Sequence, residues 1–299
     1  MHRVFVTGGT GFVGRAVVSS LRAEGHIVRC LVRRGSERDL RGLESIERVE
    51  GDVRSLPMVE SAMAGCDTVI HLVGIIREQP GRGMTFDRLH VGATGNVLTA
   101  AARNGVRRFL HMSALGARPG APSRYHDTKW RAEEAVRASS FDWTIFRPSV
   151  IYGPQDGFVT PLARVVRRVP LLPLIGTGDI RLQPVPLEHV AEAFSLAVND
   201  SATVRRTFDA GGPEPVTLNQ LIDIIAAVVG RRRVRKVPLP VAPVAVVTRV
   251  LQGLPFYPIS TDQLLMLSAD NTCDPLPFLK AFGLSPIPLA KGIERALGR

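Results

Sequence analysis

The stretch MHRVFVTGGTGFVGRAVVSSLRAEG limits the fold more than any other part of the sequence. Residues 4–7 form an apolar run the length of a short buried strand, and residues 12–24 carry apolar side chains at helical spacing. Between them stand Gly8, Gly9, Gly11 and Gly14, where a strand must turn sharply into a helix. Glycine adopts positive φ without strain and lets another group approach the main chain. A helix N-terminus left open after such a turn offers free N–H groups and the positive end of a dipole, which together make an anion site. Gly8-x-x-Gly11-x-x-Gly14 therefore reads as a pyrophosphate cradle, with the amides of Phe12 and Val13 as donors. The spacing alone also fits a flexible turn; the strand before it and the helix after it favour the cradle.

The first half of the chain repeats the alternation. Strand patterns fall at 27–32, 48–51, 69–73, 108–113 and 143–147, separated by helical patterns that are clearest at 91–104 and 126–138. Such alternation predicts an α/β fold, a Rossmann doubly wound parallel sheet with right-handed crossovers and helices on both faces. Ligands of these sheets bind beyond the carboxyl ends of the strands. After Pro148 prolines cluster, and helical patterns at 218–229 and 242–251 are joined by irregular segments. This predicts a cofactor-binding core over residues 1–150 and a smaller C-terminal α/β lobe over 151–299 that closes over it. The two interleave, with 187–198 returning to the core.

Composition narrows the partners. A length of 299 residues suffices for one large α/β unit or a core plus a lobe, and shares of 45% apolar and 22% charged residues are ordinary for a soluble protein. The first strand begins almost at Met1 and the apolar runs are short or broken by proline, so neither a signal peptide nor a membrane span is expected. Cys30, Cys66 and Cys273 are scattered and odd in number, which indicates neither a disulfide framework nor a metal site; Cys30 and Cys66, in or beside predicted strands, are expected to be buried thiols in a reducing cytoplasm. The net charge of +11 comes from arginines spread along the chain, with only four lysines. Without a stacking platform, zinc finger or helix-turn-helix pattern, it does not indicate nucleic acid. It does favour anionic cofactors, acidic lipid surfaces or acidic protein partners. The densest run, GRRRVRK at 230–236, precedes the apolar VPLPVAPVAVV and reads either as an edge strand with a solvated basic face or as a docking patch.

The chemistry sits at the predicted strand ends. In NAD-preferring folds an acidic residue about 20 positions past the glycines accepts from the ribose 2′-hydroxyl. Arg33 and Arg34 occupy that place here, and their guanidinium forks suit a 2′-phosphate, so NADP(H) is expected over NAD(H) unless both are solvated loop charges. Asp52 ends the third strand, where it can accept from an adenine amino group. Leu72, Val73 and Gly74 end the fourth, where the main chain passes beneath the ribose. An Asp-turn and a plain buried strand would explain these as well. Ser113 ends the fifth strand, and Tyr125 and Lys129, four apart, share one face of a helix. A phenol that ionises near ~10 is a poor acid or base at neutral pH. The neighbouring ammonium is expected to lower that value, and Ser113 to hold a carbonyl or alcohol, giving a proton-transfer set for hydride exchange.

The motifs TGGTGFVG, GDV, HLVG, GATGNVLTAAARNGVRRFLHMSA, YHDTK and FRPSVIYGP resemble the extended or atypical short-chain dehydrogenase/reductases over nearly the whole chain. The resemblance implies Thr7 and Val53 as further cofactor contacts, Ser113, Tyr125 and Lys129 as the catalytic set, and Pro148, Val150 and Ile151 beside the nicotinamide. Two departures accompany it. His90 stands where many members have an asparagine that supports the active-site helix. RLQPVPLEHVAEA has Glu188-His189 in place of the acidic pair of sugar epimerases, although Arg181 remains available to a diphosphate. SRYHDTKWRAEEAV, RPSVIYGPQDGF and TDQLLMLSADNTCDP are similar to the NADPH-binding accessory subunits of respiratory complex I, a family that holds its cofactor structurally and keeps the Tyr–Lys pair. Three functions stay open: such a subunit or assembly partner at the inner face of a membrane, an active NADPH-dependent oxidoreductase or nucleotide-sugar epimerase/dehydratase, and an NADP(H)-sensing regulator.

Overall fold

A computed structural model describes residues 1–36, 40, 45–231, 234–252, 257, 259–267 and 269–298. In chain order its elements are β1 (Arg3–Thr7), α1 (Phe12–Ala23), β2 (Ile27–Val32), β3 (Glu47–Glu50), α2 (Leu56–Met63), β4 (Thr68–His71), α3 (Ala93–Arg103), β5 (Arg108–Met112), α4 (Arg124–Arg137), β6 (Asp142–Pro148), β7 (Ile151–Tyr152), α5 (Val159–Arg168), β8 (Leu171–Ile175), β9 (Arg181–Leu182), β10 (Val185–Pro186) and α6 (Leu187–Ala197). The chain goes on through β11 (Arg206–Ala210), β12 (Val216–Thr217), α7 (Leu218–Val228), β13 (Arg235–Leu239), α8 (Val241–Leu251), α9 (Thr261–Met266), α10 (Leu276–Ala281) and α11 (Leu289–Ala296). A π-helical turn, Asp87–Gly92, leads into α3.

The chain divides into two compact units. The first comprises Met1–Pro148, Leu187–Asp209 and Leu276–Leu284, and the second Ser149–Pro186, Ala210–Pro275 and Ser285–Arg299. The returning segment therefore extends past 198 through β11, and α10 joins the first unit as well. Aromatic packing accounts for both additions: the Phe146 ring lies 4.3 Å from Phe194, 5.9 Å from Phe208 and 5.5 Å from Phe282.

Among the described residues, the first unit is built on a seven-stranded sheet in the order β11-β6-β5-β4-β1-β2-β3. The contacts of β1 with β2 and β4, of β2 with β3, and of β5 with β4 and β6 are all parallel. Central strands covered on both faces read as near-continuous apolar runs, and β1 and β4 are buried over almost their whole length, Thr7, Thr68 and His71 included. Phe5, Val69 and Phe109 meet Val59, Ala93, Val97 and Val136 on the face covered by α2, α3 and α4. On the opposite face α1 packs against α6. The strand order reverses at β1, so the ends of β1 and β4 form the switch point where such sheets bind ligands.

Among the described residues, the second unit holds the two-stranded pairings β10-β7, β12-β9 and β13-β8; β13 begins in the basic run that reads as an edge strand, while the other strands stand where the sequence shows only irregular segments. Strands of two residues, or strands holding proline, carry no period to detect. Leu172, Leu174, Leu221, Ile222, Ile225 and Ile293 form the core of this unit. The basic run is not a uniform solvated face. The Arg231 guanidinium donates to the carbonyls of Val166 (2.8 Å) and Val169 (2.5 Å), and Lys236 pairs with Asp223 at 2.7 Å. Arg232 and Arg233 lie outside the described residues. No described helix is long and apolar enough to cross a membrane.

Candidate cofactor site

The glycine turn connects β1 to α1 at the switch point. Gly8 has φ +78, and the amide of Gly11 donates to its carbonyl at 3.0 Å, which closes the turn. Gly11 caps α1 in extended conformation, with no side chain bonded to the first-turn amides and no acidic residue beside them. The helix thus begins with unpaid donors and a positive dipole end. The glycines serve different ends. A Cβ on Gly14 would lie 2.0 Å from the Gly8 carbonyl oxygen and 2.7 Å from Gly9 Cα, so Gly14 lets the helix pack on the turn. A Cβ on Gly11 would meet only the Gly8 oxygen, at 3.3 Å, and its φ of −75 suits any residue. The protein itself makes little demand for glycine there; an anion lying on the helix end would. The residues present fit a dinucleotide's diphosphate.

The neighbouring strand ends frame the rest. Leu72 and Val73 run beside the turn: the Leu72 amide donates to Thr7 O at 3.1 Å, and a Cβ on Gly8 would lie 3.1 Å from the Val73 nitrogen. Arg33 and Arg34 are exposed in a turn closed by Ser36 N–H to Arg33 O (2.9 Å) after β2, and Arg33 is close enough to Asp52 to act on its ionisation. Val53 is buried beside Asp52. The Asp52 carboxylate is already engaged: Arg54 donates to it from Nε at 3.0 Å and from its terminal nitrogen at 2.6 Å, which holds the carboxyl below its usual range. An adenine amino group would have to share it. Asp52, Arg54, Ser55, Arg88, Gly92 and Asn96 line a groove of about 570 Å3 at this end.

Ser123 accepts from the His126 amide and caps α4 two residues earlier than the apolar pattern indicates, which puts Tyr125 in the first turn with Lys129 one turn on. Ser113 follows β5 and donates its amide to Phe146 O at 2.7 Å, while its buried hydroxyl has no hydrogen-bond partner among the described residues. Lys129 is 2% exposed, and its Nζ donates to Met112 O at 3.0 Å, next to Ser113. A Cβ on Gly74 would stand 2.9 Å from that nitrogen. Burial brings Lys129 down to about 8 and pushes Tyr125 up to about 12. The phenol is therefore shifted opposite to the direction expected from a neighbouring ammonium, and loss of solvent is the cause.

A lattice of buried histidines, which the sequence pattern does not reveal, holds these elements together. The Thr128 hydroxyl donates to Arg124 O and so accepts from His90 Nδ1 (2.9 Å), while His90 Nε2 accepts from the Ile75 amide (3.1 Å). Thr94 donates to His90 O and so accepts from His71 Nε2 (3.1 Å), while His71 Nδ1 accepts from Thr7 at 2.6 Å. Both tautomers follow from these roles. Burial holds His71 down to about 3 and His90 to about 2, so both rings are neutral. His90 thus ties α4 to the loop after β4, and Tyr125 meets its ring edge-on at 5.4 Å. One turn beyond Lys129, the fully buried Glu133 accepts from Arg147 through both oxygens (2.8 and 2.6 Å) and from Arg137 at 2.6 Å.

Pro148 ends β6 and accepts from the Leu115 amide at 2.9 Å within the first unit; Val150 and Ile151 belong to the second, where Val150 O accepts from the Val185 amide. Arg181 is not free for a diphosphate. Asp270 binds it at 2.7 Å.

A family model described as NAD(P)H-binding matches residues 8–162. The mitochondrial NADH dehydrogenase (ubiquinone) 1 alpha subcomplex subunit 9 of Arabidopsis thaliana is 32% identical over 277 residues, covering 89% of this chain and 68% of the relative. A ceramide reductase of Caulobacter vibrioides is 34% identical over 196 residues, covering 65% of this chain and 59% of the relative. The UDP-glucose 4-epimerase of Thermotoga maritima, solved with UDP-glucose, shares the fold at a TM-score of 0.77 and 20% identity, covering 99% of this chain and 97% of that one. The chain belongs to the NAD(P)-binding atypical short-chain dehydrogenase/reductases, in the branch that includes the complex I alpha subcomplex subunit 9 proteins. Its cofactor is a nicotinamide dinucleotide.

Proposed function

We propose that the chain is an NADP(H)-holding accessory or assembly-type subunit of a respiratory membrane complex, peripheral to the cytoplasmic face, in which the cofactor is structural. The likeness to the complex I alpha subcomplex subunit 9 proteins carries this reading. The Tyr–Lys pair supports it: burial pushes the phenol up, where a proton-transfer role needs it lowered, and Lys129 Nζ donates to the Met112 carbonyl. When bound, the nicotinamide would supply a hydride donor or acceptor. On this reading the protein's residues hold it in place: the first-turn amides of Phe12 and Val13 on the diphosphate, Thr7 and the Leu72–Gly74 main chain under the adenosine ribose, Asp52 and Val53 at the adenine, Tyr125 and Lys129 at the nicotinamide ribose, and Pro148, Val150 and Ile151 beside the ring. Arg33 and Arg34 support NADP(H), since the ribose position carries two exposed guanidinium groups and no carboxylate. The complex I relative in Arabidopsis supports the partner.

The test is purification from native membranes, followed by NADPH content and NADPH oxidation against quinones and small carbonyls. Retained NADPH with slight turnover is expected. Robust turnover that depends on Tyr125, in a protein found wholly in the soluble fraction, would overturn the reading. A second reading, an active NADPH-dependent reductase, is favoured by the Ser113 hydroxyl, which is buried beside Lys129's anchor with no hydrogen-bond partner among the described residues. The likeness to a ceramide reductase supports it too. A nucleotide-sugar epimerase is less well supported, because Asp270 already holds Arg181.

A further inference from the structure

Helix α8 is sorted inside out. Its sequence, VAPVAVVTRVL, is apolar at all but two positions, yet Thr248 is the one buried residue among its eleven. Pro243, Val246, Val247 and Val250, at i, i+3, i+4 and i+7, form one exposed stripe, with Val246 66% and Val250 74% exposed. A surface helix of a soluble protein turns its polar side outward. The β8–β13 ribbon repeats the anomaly. Leu172 and Leu174 point into the core, while Leu171 and Pro173 face out, in register with Arg235 and Val237. The ribbon abuts the helix, since a Cβ on Gly176 would lie 3.5 Å from a Val241 methyl.

The elements that carry this surface are basic, and the acid beside them, Asp223, is taken up by Lys236. Elements α5, β8, β13 and α8 contain no Asp or Glu. Arg164, Arg167 and Arg168 of α5, together with Arg235 and Arg249, are exposed and make no ion pair among the described residues. We infer that the outward faces of α8 and the β8–β13 ribbon lie on an anionic lipid bilayer, with the valines at the acyl boundary and the arginines among the headgroups. The inference rests on the reading of the chain as a membrane-peripheral subunit and names the surface it would use. Apolar side chains flanked by cations are the signature of an interfacial helix. Eleven residues span roughly 16 Å, about half of a bilayer's ~30 Å core, so α8 lies on the membrane and does not cross it. A second copy fits poorly: a two-fold contact across α8 and the ribbon would bring Arg235 and Arg249 of the two copies together on elements that hold no acid. A protein partner fits poorly as well, because the stripe has none of the aromatic anchors that dominate such interfaces.

The experiment is flotation of the full chain with vesicles of phosphatidylcholine alone or with added phosphatidylglycerol, at low and high salt. Wild type is compared with Val246→Ser/Val250→Ser and Arg167→Glu/Arg168→Glu. Binding to the anionic vesicles is expected, weakened by salt. The arginine reversals should reduce it by roughly 25-fold or more, at about five-fold per cation removed. The serine pair should reduce it by about ten-fold or more. Absence of vesicle binding overturns the proposal, as does binding untouched by the serine pair. So does a dimer in sedimentation that the serine pair dissolves, which would assign the face to a second copy. Calorimetric NADPH titration of the same proteins reports the cofactor reading separately, and that reading survives if only the vesicle result fails.

Discussion

Gly11 and Gly14 stand three residues apart in the same turn, and alanine at each should fail in opposite ways. In Gly14→Ala the new methyl would sit 2.0 Å from the Gly8 oxygen and 2.8 Å from its carbonyl carbon, both main-chain atoms. Relief requires α1 and the turn to part by about 1 Å, and the packed interior resists that. Overpacking costs ~1–3 kcal/mol, and here the upper end applies because backbone meets backbone. The gain in helix propensity returns up to ~1 kcal/mol, leaving a net loss of about 2. In Gly11→Ala the methyl lies 3.3 Å from one oxygen, and the loss at the cap is under ~1 kcal/mol. That methyl occupies the approach to the first-turn amides, however. Losing two charge-assisted bonds of ~1.5 kcal/mol or more each weakens NADPH at least ~100-fold. Urea unfolding without cofactor measures the first effect, and calorimetric titration with NADPH the second. Wild-type NADPH affinity in Gly11→Ala would refute the anion-site reasoning; wild-type stability in Gly14→Ala would refute the packing argument.

Four further outcomes are expected. NADPH should bind at least about ten-fold more tightly than NADH, and Arg33→Ala/Arg34→Ala should erase the difference; equal calorimetric affinities in the wild type would remove the assignment. Glu133→Gln leaves Arg147 and Arg137, 18% and 25% exposed, facing a neutral amide. Partial solvation puts the cost near the low end for a buried pair, about 3 kcal/mol by urea unfolding, and a loss below ~1 would contradict it. His71 and His90 ionise at about 3 and about 2 when folded, below the ~6.5 of the unfolded chain. The unfolded state therefore gains protons first, and the contribution of these rings is full above ~6.5. It falls by about 1.4 kcal/mol per pH unit per ring as the solution is acidified, so urea midpoints should drop steeply from pH ~6.5 to ~5 and a flat profile would sink the argument. Tyr125→Phe should weaken NADPH by about five-fold, the loss of one ribose hydrogen bond of ~1 kcal/mol, and leave any residual oxidation nearly unchanged; a loss of ~100-fold in turnover would establish the reductase reading instead.

The sequence by itself determines the strand–turn–helix at the N-terminus, the parallel sheet and the pairing of Tyr125 with Lys129, because each depends on neighbours within a turn or a strand. Short apolar runs bounded by glycine and alternating with helical patterns read as buried strands, and on a helix a spacing of four shares one face. Tertiary structure decides what those residues meet. Gly11 and Gly14 look alike in sequence, and only the packing of α1 on the turn separates a ligand's place from a steric necessity. Asp52 reads as an open acceptor until Arg54 folds back onto it. The phenol's direction of shift depended on burial, which no spacing reveals. His71, Thr94, His90 and Thr128 join only because parallel register and the π-helical turn bring 57 positions of sequence into one hydrogen-bonded chain. The valines of α8 form an apolar segment that composition would bury. Hydrophobic pattern states what a helix can cover, and only the arrangement of the other elements determines whether anything covers it.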